Sequence, residues 1–396
     1  MTHPYDALEQ RTIEARQAAL SAALVDQIAR AAALPGYADS LAGVSFSGDL
    51  TALPVLRKAE LAGLQKAAPP FGGLTSGGFA YLHQSPGPIY EPGQRGGDWW
   101  RLGRFLHAAG IGAGDIVQNC FGYHLTPAGH MFENAAEAVG ASVIPAGTGQ
   151  TELQVDAAAA LGATAYAGTP DYLKVILEKA DEMGVALGIT RAVVSGGALF
   201  PSLRDWYAAR GIACTQCYAT ADLGLIAYES PAMEGMIVDE AVVVEIVTPG
   251  TGDPVPEGEV GEVVVTTLNP DYPLVRFATG DLSAVMPGMS PCGRTNMRIK
   301  GWMGRADQTT KIKGMFVRPE QVAALVARHS AVTRARVVAS RDGEADRMVV
   351  QVEGSGLDVG AIEASVKDVL KLSGEVEVVE ALPRDGVVIE DTRSYD

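Results

Sequence analysis

Short apolar runs alternate with amphipathic segments through the middle of the chain. The pattern predicts strands bounded by turn residues, at 115–121, 141–145, 164–167, 191–195 and 213–218. It predicts helices before and between these strands, at 99–110, 127–139, 151–161, 170–183 and 201–210. Because strands and helices that alternate at this spacing form parallel βαβ units, the sequence predicts an α/β fold with helices on both faces of the sheet.

The pattern changes on both sides of this region. Residues 7–34 have helical spacing, whereas the Gly- and Pro-rich stretch 66–98 is predicted to be a long loop. Beyond Tyr228 the chain turns to β-branched runs separated by Pro/Gly turns, at 242–247, 261–267 and 275–278. These runs predict a β-rich part with antiparallel pairing.

The C-terminal part has a third pattern. It predicts the order helix, strand, strand, helix, strand, at 319–328, 333–340, 347–353, 358–371 and 375–381. We therefore expect two domains, a large α/β domain over residues 1–306 and a small α+β domain over 307–396.

The charge of the chain restricts its partners. Lys and Arg number 31 and Asp and Glu number 47, so the net charge is 31 − 47 = −16. This balance disfavours nucleic acid or an anionic membrane surface as a partner, because no basic block offsets it. A site for an anionic ligand must then be locally positive or built from backbone N–H groups.

The sequence offers little sign of a membrane or secreted protein. No apolar stretch approaches the roughly 18 residues that span a bilayer, and Met1 to Gln27 reads as a helix and not as a signal peptide. Four cysteines do not form a disulfide framework in a chain of 396 residues, so a reducing cytoplasm is expected. Cys214 and Cys217 have the spacing of a redox pair or half a zinc site, but buried structural cysteines are the favoured interpretation.

Three places along the chain are suited to binding a nucleotide. Ser195-Gly-Gly-Ala198 follows a predicted strand and has no bulk, so a flat ring can lie against its backbone. Asp281 can accept two hydrogen bonds from a vicinal diol such as a ribose. Arg305, at the predicted junction of the domains, can reach a ribose or phosphate oxygen. The simpler interpretation is that the glycines form only a tight turn and that Asp281 only caps a turn.

An aromatic and an imidazole follow the first of the central strands. Tyr123 and His124 can sandwich an aryl acid or gate a channel for a thiol. A lone histidine is more often an ordinary core or surface residue, and this alternative stays open for His124.

Several segments together resemble phenylacetate–CoA ligases of the adenylate-forming superfamily. The junction Gly304-Arg-Ala-Asp through Lys311-Ile-Lys-Gly314 is similar to the hinge of these enzymes, and Gly140 to Thr151 is close to a run typical of them. Cys217-Tyr-Ala-Thr-Ala-Asp222 stands in the place of their Tyr-Gly-x-Ser/Thr-Glu, and Arg276-Phe-Ala-Thr-Gly-Asp281 resembles their Tyr-Arg-Thr-x-Asp. The resemblance covers roughly residues 50–390, and it implies a large adenylate-forming domain followed by a mobile lid.

The resemblance also implies roles for individual residues. It places an adenine loop at Ser195, Gly196, Gly197 and Ala198, with Tyr218, Asp281 and Arg305 completing the nucleotide site. It places the magnesium–phosphate end of the site at Thr220 and Asp222, with Asp222 as the metal ligand, and counts His124 with these two as catalytic. It places the acyl pocket at Phe121, Tyr123, His124, Pro145 and Gly147. ATP, AMP, Mg²⁺ and CoA are the ligands that it implies.

Three departures from the family pattern all affect phosphate handling. The stretch His83-Gln-Ser-Pro-Gly-Pro-Ile-Tyr90 stands where the phosphate loop belongs, but it has two prolines and no lysine. Asp222 stands where the family has the longer glutamate. Val387 or Val388 stands where the family has a C-terminal lysine, and loss of such an electrostatic contact typically costs on the order of 10²–10³ in rate.

These features lead to one principal hypothesis and two alternatives. The first is an ATP-dependent aryl or arylacetic acid–CoA ligase that acts through an acyl-adenylate, with a small-molecule acid and CoA as partners. The second is an ATP-independent thioester hydrolase or acyltransferase on the same fold, and the third is a non-catalytic protein that binds a nucleotide or acyl-CoA. A homodimer is expected by resemblance only.

Overall fold

The computed structural model describes residues 4–44, 46–197, 199–303, 306, 310–313, 315–317, 319–342, 345–383 and 387–393. The chain divides into two compact units, Met1–Gly304 and Arg305–Asp396. Two of the predicted site residues, Ala198 and Arg305, lie outside the described residues. The roles predicted for the two domains stay predictions: an acyl and nucleotide pocket in the large domain, and a mobile lid formed by the small one.

The first unit contains helices of both α and 3-10 type. Its α-helices are α1 Ile13–Ala32, α2 Lys58–Ala67, α3 Gly103–Ala108, α4 Ala128–Ala138, α5 Thr151–Leu161, α6 Pro170–Met183 and α7 Pro201–Ala209. Short 3-10 turns lie at Ala7–Gln10, Pro35–Tyr37 and Leu50–Ala52.

The first seven strands of this unit are short. They are β1 Leu56–Arg57, β2 Tyr81–Ser85, β3 Ile89–Gly93, β4 Ile116–Asn119, β5 Ser142–Pro145, β6 Ala165–Gly168 and β7 Arg191–Val194. The remaining strands are β8 Ala213–Thr220, β9 Gly224–Glu229, β10 Met236–Val238, β11 Val242–Val247, β12 Val260–Thr267, β13 Phe277–Met286 and β14 Arg298–Ile299.

One 12-stranded sheet organises this unit. Its order is β11-β12-β13-β14-β10-β9-β8-β7-β6-β4-β5, and β1 pairs with β13. Strands β4 to β8 pair in parallel, as the alternating pattern predicts. From β8 onward the pairing along this order is antiparallel, as the β-branched runs predict. β8 is therefore the seam between the two halves of the sheet.

Local sequence signals account for the ends of the helices. The Thr12 hydroxyl accepts a hydrogen bond from the Ala15 N–H at 3.2 Å and caps α1. Proline is the first residue of both α6 and α7, where its missing N–H costs no helical hydrogen bond. Gly162 and Gly184 end α5 and α6 in the left-handed conformation that glycine adopts without strain.

The long loop predicted over 66–98 is wrong in part, because β2 and β3 form an antiparallel hairpin within it. His83 pairs with Glu91, and Ser85 pairs with Ile89 across a three-residue Pro-Gly-Pro turn. Proline and glycine here form a tight connection between strands, and the strands themselves are too short and too polar to stand out in the sequence. The chain has its hairpin where related enzymes are expected to have a phosphate loop.

The central sheet is buried on both faces. Cys214 packs with the cluster around Tyr166 and Tyr207, and Cys217 packs with the cluster around Phe105 and Val117. Positions three apart on a strand point to opposite faces, which explains this separation. All four cysteines are free, and Cys214 and Cys217 are buried, as the structural interpretation of this pair predicts.

The second unit is a small α+β structure. Its elements are β15 Thr310–Ile312, β16 Met315–Val317, α8 Pro319–Arg328, β17 Val332–Asp342, β18 Ala345–Gly354, α9 Val359–Leu370, β19 Glu375–Val378 and β20 Ile389–Asp391. The four-stranded sheet has the order β19-β18-β17-β20 and shares a core with the two helices. The predicted helix–strand–strand–helix–strand order is confirmed. Across both units, no helix in the described parts of the chain is long and apolar enough to cross a membrane.

Glu9 anchors the start of the chain to the large unit. Its carboxylate lies 2.8 Å from Nη2 of Arg294 and 3.1 Å from Nη1 of Arg104, and the Tyr228 hydroxyl donates to it at 3.1 Å. Glu9 is only 4% exposed. Glu9 therefore helps to neutralise two buried guanidinium groups, of which Arg104 also lies beside Asp6 and Asp239.

We expect Glu9→Ala to lower the free energy of unfolding by about 3–5 kcal/mol, because it removes the carboxylate paired with the buried Arg294. Urea unfolding followed by circular dichroism measures the change. Glu137→Ala is the control, since Glu137 lies exposed on α4 and its loss is expected to stay within about 0.5 kcal/mol. Equal effects of the two variants would contradict the anchoring role.

Candidate functional site

A carboxylate, a phenol and an indole meet at the centre of the large unit. Asp281 on β13 accepts a hydrogen bond from the Tyr218 hydroxyl on β8 at 2.8 Å and from the Trp302 indole N–H at 3.0 Å. Asp281 is only 8% exposed. The two donors act on different oxygens and fix the plane of the carboxylate. A carboxylate oxygen accepts more than one hydrogen bond, so this arrangement suits a vicinal diol.

The predicted adenine loop begins where β7 ends. The Ser195 N–H donates to the Gly168 carbonyl at 3.2 Å, and the Ser195 hydroxyl donates to the Cys217 carbonyl at 3.1 Å. Gly196 has φ +72°, and a Cβ placed there would lie 3.9 Å from the ring of Phe121. The loop is therefore tied to β8 beside Tyr218 and lies next to the predicted acyl segment.

Asn119, the last residue of β4, holds the acyl segment in place. Its side-chain amide donates to the Tyr123 hydroxyl and to the Gly129 carbonyl, each at 2.8 Å, and its oxygen accepts from the Phe121 N–H at 3.2 Å. Gly129 has no room for a side chain, since a Cβ there would lie 2.7 Å from the ring of Tyr123. Sequence reasoning missed Asn119, although a polar residue ending an apolar strand is a usable signal.

The remaining predicted pocket residues stand at the edges of this segment. Gly147 donates its N–H to the Asn119 carbonyl at 3.0 Å, so the loop after β5 is joined to the acyl segment. Pro145 and His124 are exposed. The structure brings Phe121, Tyr123 and Gly147 together around Asn119 and leaves the imidazole of His124 on the surface.

Two other histidines lie closer to the aromatic residues. His83 Nε2 lies 3.3 Å from His130 Nδ1, and the His130 ring packs against Tyr81 and Tyr123 at centroid distances of 4.4 and 5.2 Å. Burial, and then the nearby His130, lower the pKa of His83 to about 4. This pair was not predicted, because its members come from a hairpin and a helix that are remote in sequence.

The predicted magnesium–phosphate end contains an ion pair. Asp222 lies in the turn between β8 and β9, and its Oδ2 lies 3.0 Å from Nζ of Lys58 on α2. The Asp222 side chain is 1% exposed and that of Lys58 is 43% exposed. The Thr220 hydroxyl accepts the Leu223 N–H at 3.1 Å and closes the turn.

The hairpin at the position expected for a phosphate loop donates hydrogen bonds to one of its own acids. The Ser85 N–H donates to Oε2 of Glu91 at 3.1 Å, and the Ser85 hydroxyl donates to the other oxygen. Glu91 is fully buried, and its burial, followed by the charge of Asp222, raises its pKa to about 8. These donors face an internal acid, which agrees with the predicted weakness of this segment as an anion cradle.

Asp222 nevertheless suits a divalent cation. Its Oδ1 is buried and has no hydrogen-bond partner. Among the described residues, no group of three or more His, Cys, Asp or Glu side chains could hold a metal without other ligands. Mg²⁺ is typically held by one or two carboxylates together with substrate phosphates and water, and Asp222 fits that role.

Val387 and Val388, one of which stands where the family has a C-terminal lysine, are apolar and packed. The Val387 carbonyl accepts a hydrogen bond from the Arg336 side chain at 3.1 Å, and Val388 packs against the core of the second unit. Residues 384–386 lie outside the described residues. Neither valine supplies a cation.

Comparison with known proteins supports the resemblance. No family model matches the chain. The phenylacetate-coenzyme A ligase of Thermus thermophilus is 32% identical over 264 residues, which cover 64% of this chain and 59% of that protein. The enzyme of the same name from Aromatoleum evansii is 29% identical over 291 residues, covering 69% and 66%. The aligned part thus spans about three fifths to two thirds of these relatives.

The fold comparison extends over nearly the whole chain. The crystal structure of 2-hydroxyisobutyryl-CoA ligase in complex with 2-HIB-AMP and CoA matches with a TM-score of 0.82 at 24% identity. The match covers 98% of this chain and 92% of that one. The predicted fold class is confirmed.

The His83 environment generates a prediction for acid stability. The unfolded chain takes up this proton near pH 6.5 and the folded chain near pH 4, so stability is lost as pH falls between these values. The expected loss attributable to His83 is up to about 3 kcal/mol, at 1.36 kcal/mol per pKa unit. His83→Phe is expected to flatten the dependence of unfolding free energy on pH in this window. The variant leaves Arg95 and Glu133, the charged neighbours of His130, unchanged.

Denaturant unfolding at a series of pH values between 4 and 7 measures this effect. His124→Phe is the matched control, because His124 is exposed. A slope that is the same in wild type, His83→Phe and His124→Phe would contradict burial of a neutral His83.

Proposed function

We propose that this chain, a phenylacetate–CoA ligase-like member of the adenylate-forming superfamily, joins a carboxylic acid to CoA through an acyl-adenylate. The observation that carries the proposal is the carboxylate of Asp281, oriented by Tyr218 and Trp302 beside a flat glycine loop. The Tyr218 hydroxyl joins Asp281 on β13 to β8, and the neighbouring Cys217 carbonyl on β8 holds Ser195 at the start of the glycine loop, whose Gly196 lies next to the aromatic segment after β4. Together they suit a nucleotide next to an acyl group.

In the first half-reaction, a carboxylate oxygen of the acid attacks the α-phosphorus of ATP, and pyrophosphate leaves. Asp281 holds the ribose hydroxyls and the backbone of Ser195 to Gly197 lies against adenine. Thr220 and Asp222 face the phosphate end, where Mg²⁺ would neutralise part of the phosphate charge. In the second half-reaction, the CoA sulfur attacks the acyl carbonyl and AMP leaves, which forms the thioester.

The aromatic surroundings favour an aryl or arylacetic acid as substrate. Phe121 stacks on Phe132 at 4.3 Å, and Tyr123 contributes a ring held by Asn119. Planar aromatic walls favour a planar apolar acyl group, since aromatic pairs add roughly 0.5–1.5 kcal/mol beyond area burial. The name of the Thermus thermophilus relative agrees with this class of acid.

We propose that the protein works in a reducing cytoplasm as a homodimer. Four free cysteines, three of them buried, suit a reducing cytoplasm. A homodimer is proposed from the resemblance and is tested by sedimentation equilibrium.

A second candidate function is ATP-independent thioester chemistry, in which an acyl-CoA is hydrolysed or its acyl group is moved. The hairpin donors bound to Glu91 and the apolar Val387 and Val388 favour it, because each weakens phosphate handling. Thioester hydrolysis or acyl transfer needs no site for a polyphosphate.

AMP release from ATP, CoA and a panel of aryl and arylacetic acids tests the principal proposal. We expect acid-dependent AMP release, with kcat/KM reduced roughly 10- to 100-fold in Asp281→Ala, since hydrogen bonds to a charged group are worth about 1.5–3 kcal/mol. Asp156→Ala is the control, because Asp156 is exposed on α5.

Other outcomes separate the alternatives. Loss of thioester from acyl-CoA compounds without ATP, and no AMP release with any acid, would replace the ligase by the second candidate. Binding of nucleotide or acyl-CoA with no turnover of either kind would indicate a non-catalytic protein.

Trp302 gives a separate prediction about orientation of Asp281. Trp302→Phe removes one of the two donors and keeps an aromatic ring, so we expect KM for ATP to rise several-fold with a smaller change in kcat. Steady-state kinetics at saturating acid and CoA measures both. A fall in kcat with unchanged KM would contradict a role in nucleotide positioning.

A further inference from the structure

The ion pair between Lys58 and Asp222 has a use beyond holding α2 in place. Resting on the proposed function, we propose that the Lys58 ammonium occupies the seat of the divalent cation until the nucleotide binds. When the cation and polyphosphate arrive, Lys58 leaves Asp222 and contacts a phosphate oxygen. It thereby supplies the positive charge that Val387 and Val388 cannot supply.

The accessibility of the two partners shows which one can move. The Lys58 side chain is 43% exposed, whereas that of Asp222 is 1% exposed. The ammonium therefore lies on the solvent side of a buried carboxylate. A flexible lysine can withdraw into solvent when another cation takes its place at Oδ2 and keeps the buried Asp222 carboxylate neutralised.

The carboxylate is incompletely satisfied by the lysine. Oδ2 of Asp222 has the ammonium at 3.0 Å, but Oδ1 is buried with no hydrogen-bond partner. A buried unsatisfied oxygen carries a desolvation penalty. A divalent cation with its bound waters can engage both oxygens, directly and through water, which one ammonium at Oδ2 does not do.

The position of Lys58 is set by the strand that carries the diol-binding carboxylate. β1 pairs with β13, with Leu56 opposite Phe277 and Arg57 opposite Ala278, and Lys58 follows directly. Asp281 lies three residues further along β13 than Ala278. The ammonium and the carboxylate proposed to hold the ribose are thus fixed to one framework.

The opposite end of α2 is also fixed. The Gln65 amide donates to the Tyr90 carbonyl at 2.7 Å, and its oxygen accepts from the Tyr90 N–H at 2.9 Å. Leu61, between these contacts, is fully buried. The backbone of the helix is held at both ends, so the proposed movement belongs to the Lys58 side chain.

The local charge favours a cation with two charges over an ammonium alone once phosphate enters. Asp222 and the buried Glu91 both lie at this end of the site. A polyphosphate would be repelled by the charge of Asp222 unless additional positive charge came with it. Mg²⁺ brings that charge, and the released ammonium adds to it on the phosphate side.

A purely structural salt bridge makes a different prediction from a placeholder. In the structural case, removing the ammonium only destabilises the fold and leaves cation affinity unchanged. In the proposed case, removal also eliminates a competitor for Asp222. Cation affinity then rises while nucleotide affinity falls, and these opposite signs distinguish the two cases.

The test uses Mn²⁺ as the probe, with free Mn²⁺ measured by electron paramagnetic resonance on the full chain without nucleotide. We expect Lys58→Met to bind Mn²⁺ at least 10-fold more tightly than wild type, and Asp222→Asn to lose binding. Lys66→Met is the control, because Lys66 is exposed at the other end of α2 and is expected to leave the affinity unchanged. In saturating Mg²⁺, Lys58→Met is expected to bind ATP about 10-fold more weakly by calorimetry.

Equal or weaker Mn²⁺ binding in Lys58→Met, or Mn²⁺ binding that survives in Asp222→Asn, would overturn the proposal. These titrations need no turnover. A protein that releases no AMP can therefore still support the placeholder, and an active ligase can still refute it.

A measurement on the wild-type chain covers the case in which Lys58→Met does not fold. Reductive ¹³C-methylation labels the lysines, and Lys58→Arg and Lys66→Arg assign the two resonances of α2. We expect the Lys58 resonance to shift on addition of Mg²⁺ with ATP and the Lys66 resonance to stay in place. A Lys58 resonance that does not respond would overturn the proposal.

Discussion

The site depends on how the chain turns from β8 into β9. Gly224 has φ +72°, and a Cβ there would lie 2.7 Å from the Trp100 carbonyl oxygen, which also accepts the Leu225 N–H at 3.0 Å. The turn is therefore pressed against a fixed backbone, and only glycine fits. β8 presents Tyr218 to Asp281, and the turn presents Asp222 to Lys58. Displacing this one turn would displace both ends of the proposed nucleotide site.

The proposed phosphate end combines a segment that is poorly suited to holding an anion with a site for a cation. Glu91 engages the N–H and hydroxyl of Ser85, so the hairpin offers these donors to an internal acid. Asp222, whose buried Oδ1 has no hydrogen-bond partner, is the group proposed to bind a divalent cation here. In the proposed site, phosphate binding depends on the accompanying metal more than on backbone N–H groups, in contrast to a glycine-rich loop that cradles the anion directly.

Much of the fold could be predicted, because strand and helix periodicities persist over whole elements from β4 to β8 and from α8 to β19. The hairpin was missed because Ser85-Pro-Gly-Pro-Ile89 has the composition of an open loop. Within the site, the type of residue was predictable but its partner was not. The His83–His130 pair joins residues 47 positions apart, and the Lys58–Asp222 pair joins residues 164 apart. Such contacts are set by strand order, which local sequence does not encode.

Electrostatics bears on the choice between the two candidate functions. Thioester exchange needs no polyphosphate site, so it gives no reason for a nearly buried carboxylate held by two donors. Burying Asp281 carries a desolvation cost, which the Tyr218 and Trp302 hydrogen bonds help to offset. A ligand with adjacent hydroxyls accounts for that carboxylate. The carboxylate proposed to bind the diol therefore favours the ligase over thioester exchange, and the altered phosphate end agrees with the proposed role of Lys58 as a different source of positive charge.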